Sequence, residues 1–450
     1  MPISRRAALT AAFPFLSRAD AQVSPEIVRF DAEMEPLVRL IEVTPREKCA
    51  ALVKEQLRAN VPHRQLMAAL YLAGVRNVNP RPPGFALHCL FVMHSTHLLS
   101  LEAPSGVRGL PLFYALDLFK SSQERDAKQN DYVMPALTGA LPSGDRASAG
   151  LIAAMEAWDQ DKAERAVASL ARNRGGNEVF ELLWRYGVRD YRNIGHKAIF
   201  VANSYRTLQT IGWQHAEPVL RSLVLGLLDF AKDTKINGYA LEDQTYIMNM
   251  RRFPEPWSNA PADPKATRTL LAAIREMPPL EACKQAKGMP VDSIWDAVHL
   301  AAAELTMRTA GGGIITGIHA VSAANALRFC WQMAAYATNR QLILLQAIGW
   351  MGQFRTWAES QKGIRALDIT TQPVAEYQTP ESRRRHIADS LRHIIPKANE
   401  VHYYKFPAAL IEDIPLVSSE WRPHLAAAMN CYTKGPADPE TDAMRRARSL

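Results

Sequence analysis

Cysteine is scarce and scattered: Cys49, Cys89, Cys283, Cys330 and Cys431 are the five in 450 residues. No Cys-x-x-Cys pair exists to hold zinc or run thiol exchange, and no Cys-x-x-Cys-His motif exists to attach a c-type haem. Cys89 and Cys330 sit in apolar runs and read as small core residues. Alternating Val, Ile, Thr and Tyr between turn residues is nearly absent, which argues against a sheet. The missing Gly-x-Ser-x-Gly removes the α/β-hydrolase nucleophile. The missing His-Glu-x-x-His removes the helical zinc protease site, and Gly311-Gly312-Gly313 lies in no phosphate-loop pattern. Charge is nearly missing from residues 309–354, where Arg328 and Arg340 stand alone. Helices so poor in charge lie deep in a core or in a membrane. His319, Asn325 and the glycines interrupt this run, so the expectation is a buried helical pair with no stable membrane span.

The net charge is +8. The basic residues are spread along the chain, the densest run being Arg383-Arg384-Arg385-His386, with no interleaved aromatics. That pattern fits a solvated basic surface and predicts no nucleic-acid partner. Ser4-Arg5-Arg6 precedes a short apolar stretch from Ala7 to Leu16 and a small-x-small site at Ala19-Asp20-Ala21. This order fits a twin-arginine signal peptide over residues 1–21, and hence a periplasmic or secreted protein.

What remains is dominated by helical periodicity. Helices are expected over 24–42, 147–172, 194–212, 291–309, 314–337 and 397–412, among others. Residues 22–434 read as one large all-α, bundle-like domain, and the polar stretch 435–450 reads as a disordered tail. Two segments resemble each other and suggest an internal duplication. One is Gly195-His196 through Asn203 to Arg206; the other is Gly317-Ile318-His319 through Asn325 to Arg328. In both, Asn follows Gly by eight residues and Arg follows Asn by three. Polar groups at helical spacing in apolar sequence need partners when buried, so they point to a polar site inside the core.

Histidines supply the chemistry. His94 and His97 are three apart on one helical face and suit a metal. Asp292, Asp296 and His299 share another stripe, with Asp296 expected to orient His299 as carboxylates do for metal-bound imidazoles. His299 and His319 are candidate metal ligands as well as candidate catalytic groups, beside His196, His402 and Lys405. Arg206 and Arg328 are expected to bind an anionic group of cofactor or substrate, with Asn203 and Asn325 orienting it. One Asp-x-x-His falls short of the doubled Glu-x-x-His of di-iron bundles. A b-type haem needs only one histidine and a pocket and stays compatible.

The segments Gly195–Val224 and His402–Glu412 resemble the questin oxidase-like family, in which histidines recur on helices near a Gly-His start and a His-x-x-Lys pair lies toward the end. His196, His319, His402 and Lys405 match that pattern. The resemblance implies an all-helical oxygenase acting on an aromatic or quinone-like compound. In fungal members this is a Baeyer–Villiger-type ring opening that draws on reduced nicotinamide. The expectation is therefore an exported oxygenase-type oxidoreductase with a His-lined cavity, an organic substrate and a transition metal (iron) or haem. The alternative is a non-catalytic helical protein that binds a ligand or haem.

Overall fold

The computed structural model describes residues 24–129, 131–191, 193–229, 241–251, 257–374, 377 and 379–449. The expected signal peptide lies outside the described residues. Among the described residues there are 20 α-helices and no strand, which makes the fold all-α. Nine helices frame the site and are numbered α1–α9 in chain order. The first four are α1 (His63–Asn77), α2 (His88–Glu102), α3 (Leu110–Gln129) and α4 (His196–Ile211). The others are α5 (Val291–Thr309), α6 (Ile314–Met333), α7 (Ala337–Glu359), α8 (His402–Asp413) and α9 (Asp442–Ser449).

The charge-poor stretch is the hub. Helix α6 packs against α4, α5, α7 and α8, and is buried on nearly every face. That all-round burial explains why its sequence carries no polar stripe. Among the described residues no helix is long and apolar enough to cross a membrane. Helix α2 packs against α1, α3, α4 and α8 and closes the other side of the centre.

Three expected boundaries differ for identifiable reasons. The helix expected over 24–42 begins at Glu35, because Pro36 fits a first turn and not a helix interior. The residues before it are pinned to another segment through Val28 N–H to Met134 O at 3.0 Å. The helix expected over 147–172 is two helices. Trp158 takes a left-handed φ of 57°, and Asp159 caps the next helix by accepting from Lys162 N–H. The tail expected to be disordered carries α9, which buries Met444 and Ala447 against α3 and the helix Cys49–Arg58. Two apolar residues three apart give this short, otherwise charged segment one anchoring face.

Gly317 sets the α5/α6 crossing. A Cβ there would meet the Thr306 Cα at 2.4 Å and the Thr306 N at 2.8 Å, both backbone atoms that cannot swing aside. Gly317→Ala is expected to destabilise by about 2 kcal/mol, since overpacking a fixed contact outweighs alanine's helix propensity. Gly150→Ala, where a Cβ meets nothing within 4 Å, is expected to stabilise by up to about 1 kcal/mol. Urea midpoints of the two variants check this; similar shifts for both would show that the crossing is not limiting.

Candidate metal centre and its cavity

Three of the four central histidines are the first residues of their helices: His88 of α2, His196 of α4 and His402 of α8. The fourth, His319, lies in the second turn of α6. Helix starts can be aimed at one point by the turns before them. The turn before His196 is unusual: Asn193, Ile194 and Gly195 all take left-handed φ values of 57°, 50° and 80°. Glycine adopts this conformation freely, whereas a β-branched residue such as Ile194 is strained in it. Strain of this kind persists where surrounding structure over-determines it, often beside a functional side chain. Gly195 also lets the turn approach α6, since a Cβ there would lie 2.9 Å from the Ala323 Cβ.

The Nε2 atoms of the four rings follow one another in a chain of close approaches. His196 Nε2 lies 3.2 Å from His88 Nε2 and 3.1 Å from His319 Nε2, and His402 Nε2 lies 3.3 Å from His319 Nε2. The outer nitrogens of three rings are committed. His88 Nδ1–H donates to Phe85 O at 3.1 Å and His319 Nδ1–H to Ile315 O at 2.7 Å. His402 Nδ1–H donates to the Glu400 carboxylate at 2.6 Å. Carbonyl and carboxylate oxygens only accept, so in the neutral rings the Nε2 atoms of His88, His319 and His402 carry lone pairs. His196 can offer at most one Nε2 proton to them.

This arrangement fits a metal ion. Two donors each about 2.1 Å from one ion lie about 3.0 Å apart at a right angle and about 3.4 Å apart at the tetrahedral angle. The separations of His196 from His88 and from His319, 3.2 and 3.1 Å, fall between those limits. Ligand atoms of His88, His196 and His319 all lie within 4.8 Å of one another, and all three residues are buried. The Nδ1 bonds are the outer contacts that fix ring orientation in metal-binding histidines.

Electrostatics keep the rings neutral, as ligation requires. Burial holds His88, His196 and His319 well below the usual imidazole value, with further lowering from neighbouring histidines and Lys405. Burial also lowers His402, although Glu400 opposes it. Burial brings Lys405 down to about 7, and its Nζ has no hydrogen-bond partner among the described residues.

In front of the rings opens a cavity of about 910 Å³. His88, His196, His319 and His402 line its floor, Tyr114 a wall, and Phe85 its mouth. Phe85 is 81% exposed, an unusual position for a phenylalanine without a partner surface.

Of the residues singled out in the sequence, His196, His319, His402 and Lys405 come together here. Others do not, and the expected roles are corrected. His299 lies apart from the cluster, beside Trp295, with Asp413 Oδ2 3.4 Å from its Nδ1. Asp296 does not orient it, because Asp296 Oδ1 accepts from Ser418 N–H at 2.9 Å. His94 Nε2 is bonded to Glu412 at 2.7 Å, and the His97 ring stacks on His63; both face a second cavity of about 440 Å³. Arg206 is not free for an anionic ligand, because Glu412 pairs with it at 3.2 Å. Its Nη1 donates to Asn325 Oδ1 at 2.8 Å and to Asn203 Oδ1 at 3.2 Å. The repeated Asn and Arg positions of α4 and α6 thus meet in one buried network behind the rings. Arg328 lies over Trp295 and Trp331, 3.6 Å from Asp292.

His88 and Glu400 were missed as site residues. The signal for His88 was its place after the Pro82-Pro83-Gly84 break, at a helix start like His196. Glu400 carried no pattern beyond its spacing of two from His402. Comparison with family models, with curated proteins and with solved structures finds no match.

Metal-free protein is expected to lose stability as pH falls. A histidine with a folded pKa below its unfolded value costs nothing above about 6.5 and opposes folding below it, where the unfolded chain binds more protons. Each of the three deeply shifted rings then costs up to about 1.4 kcal/mol per pH unit below 6.5. The raised Asp413 and Asp296 carboxyls act in the opposite sense but are fewer. Urea midpoints at pH 7.5 and 5.5 should therefore drop steeply, and less so in His319→Leu. A flat response would mean that the folded rings take up protons as readily as the unfolded chain does, and that burial does not hold them neutral.

Proposed function

We propose that this protein is an exported oxidoreductase of the oxygenase type, related in kind to the questin oxidase-like family. Its substrate is an aromatic or quinone-like organic molecule, held in the large cavity against a three-histidine metal centre. One observation carries the reading: the Nε2 atoms of His88 and His319 lie 3.2 and 3.1 Å from that of His196, at ligand spacing, beside a cavity of about 910 Å³ that all three line. His88, His196 and His319 would hold the ion, and His402 would stand beside them, 3.3 Å from His319. An iron ion there would supply oxygen activation, since imidazole sets with an accessible face suit that metal. The mutual closeness of the rings favours a bare ion over haem, because a porphyrin plane would need the nitrogens on its edge moved away.

The chain's own residues account for the rest of the site. Glu400 accepts from His402 Nδ1–H and from the Tyr432 hydroxyl, which fixes the ring and raises its donor strength. Phe85 and Tyr114 line the cavity and would give a flat ligand aromatic contact, through offset or edge-to-face stacking. Lys405, brought down to about 7, holds a proton at Nζ or gives it up near neutral pH. The export signal, Arg5-Arg6 before an apolar stretch, supports a folded protein loaded before transport.

The test is metal content and visible spectrum after anaerobic iron(II) loading, for the native chain and for His88→Ala, His319→Ala and His299→Ala. The expected result is one equivalent of iron per chain. It is lost in the first two variants with helical circular dichroism intact, and kept in His299→Ala. Oxygen uptake should then appear with an aromatic hydroquinone probe such as 1,4-dihydroxynaphthalene. A protein that takes up no metal, or keeps it without His319, would end the proposal.

A further inference from the structure

The cavity in front of the rings is lined by eleven titratable side chains, and their pairing is uneven. Helix α3 contributes Tyr114, Asp117, Ser121 and Arg125, one stripe at helical spacing. Helix α9 contributes Asp442, Ala443 and Arg446 from the face opposite its buried Met444 and Ala447. Each acid of the wall is already engaged. Asp117 accepts two bonds from Arg46, at 2.9 and 2.7 Å. Asp442 pairs with Arg445, which points away from the cavity lining. Glu400 accepts from His402 and Tyr432. The histidines on the floor are held neutral by burial.

Two guanidinium groups are left over. Arg125 and Arg446 line the same cavity from helices packed on one another, and neither has an ion pair or side-chain hydrogen bond among the described residues. The other arginines of α9 differ: Arg445 pairs with Asp442, and Arg448 with Glu440 at 3.4 Å. Nor is α9 a loose appendage. Lys397 Nζ donates to Gly435 O at 2.7 Å and Pro436 O at 2.8 Å, and Thr441 N–H donates to Pro396 O at 3.1 Å.

We infer that the cavity selects an aromatic carboxylate, whose ring lies against Phe85 and Tyr114 and whose acid group is bound by Arg125 and Arg446. This rests on the reading of the cavity as the substrate site. Guanidinium is the side chain best matched to a carboxylate, through two parallel N–H···O bonds. The C-terminal helix is thereby a specificity wall of the site and not a tail. The carboxylate sits toward the mouth and the ring system toward the histidines, so the acid group orients the molecule and the ring carries the reacting atoms.

The experiment is calorimetric titration of the full chain at pH 7.5 with 2-naphthoate and with 2-naphthol, which is uncharged there. Both the metal-free and the iron-loaded protein are used. Naphthoate is expected to bind at least tenfold more tightly than naphthol. Arg125→Ala and Arg446→Ala should each weaken naphthoate about tenfold and leave naphthol unchanged, with Arg446→Lys in between. Both arginines are exposed, so thermal midpoints should not move. Equal affinity for the two probes, no binding of either, or parallel loss of both in the variants overturns the inference. Iron uptake without naphthoate preference breaks this inference alone. Naphthoate preference in a protein that takes no metal breaks the oxygenase reading alone.

Discussion

Imidazole lone pairs repel when they face one another across about 3 Å in a medium too apolar to screen them. The centre of this protein holds His88, His196, His319 and His402 in that position, and much of the surrounding fold can be understood as what keeps them there. The backbone carbonyls of Phe85 and Ile315 and the carboxylate of Glu400 each take an Nδ1 proton, which turns the opposite nitrogen inward. Burial removes the alternative of charging the rings. A cation among the nitrogens, or a shared proton between pairs of them, is the arrangement that relieves the repulsion.

Rigidity comes from behind. The Arg206, Asn203, Asn325, Glu412 and His94 network joins α2, α4, α6 and α8, the four helices that carry the rings. Neighbouring acids in it behave in opposite ways. Burial raises Glu412, but Arg206 and His94 outweigh it and take the carboxyl down to about 2. Burial raises Asp413 well above the usual carboxylate range, and the Glu412 charge adds to it. One site therefore favours the negative charge that balances Arg206, and the next is pushed toward its neutral form. Buried polar networks that are largely satisfied in this way specify a single arrangement of the helices around them.

The all-α class was legible from the missing strand pattern and the long apolar periodicity, both of which are local properties of the chain. The convergence of His196, His319 and His402 was partly legible, because histidine is costly to bury and recurs in otherwise apolar helices. The helical stripe of Asp292, Asp296 and His299 misled. Helical spacing shows which residues share a face but not what that face meets, and here it meets Asp413 and Ser418, more than a hundred residues away in sequence. Arg206 misled for the same reason, since its partner Glu412 lies on a different helix. The anchoring of α9 rests on two residues, Met444 and Ala447, among many charges. A two-residue face is too small a signal to separate from a disordered tail.

Lys405 ties these strands together. A buried amine with no hydrogen-bond partner costs stability, and unpaired groups of that kind in a folded protein call for an explanation. It sits one turn after His402 on α8, over the Phe91 ring at 5.5 Å, and Phe91 in turn stacks on His196. A small cavity of about 20 Å³, roughly the space of one water molecule, is lined by it together with Asn325, Arg206 and Glu412. The amine therefore lies between the ring cluster and the charged network that holds the cluster in place. A permanently charged lysine there would repel any cation the histidines hold, whereas a group near 7 sheds its proton as the cation enters. The low value of Lys405 and the lowered values of the four rings have one common cause, burial in the same part of the core.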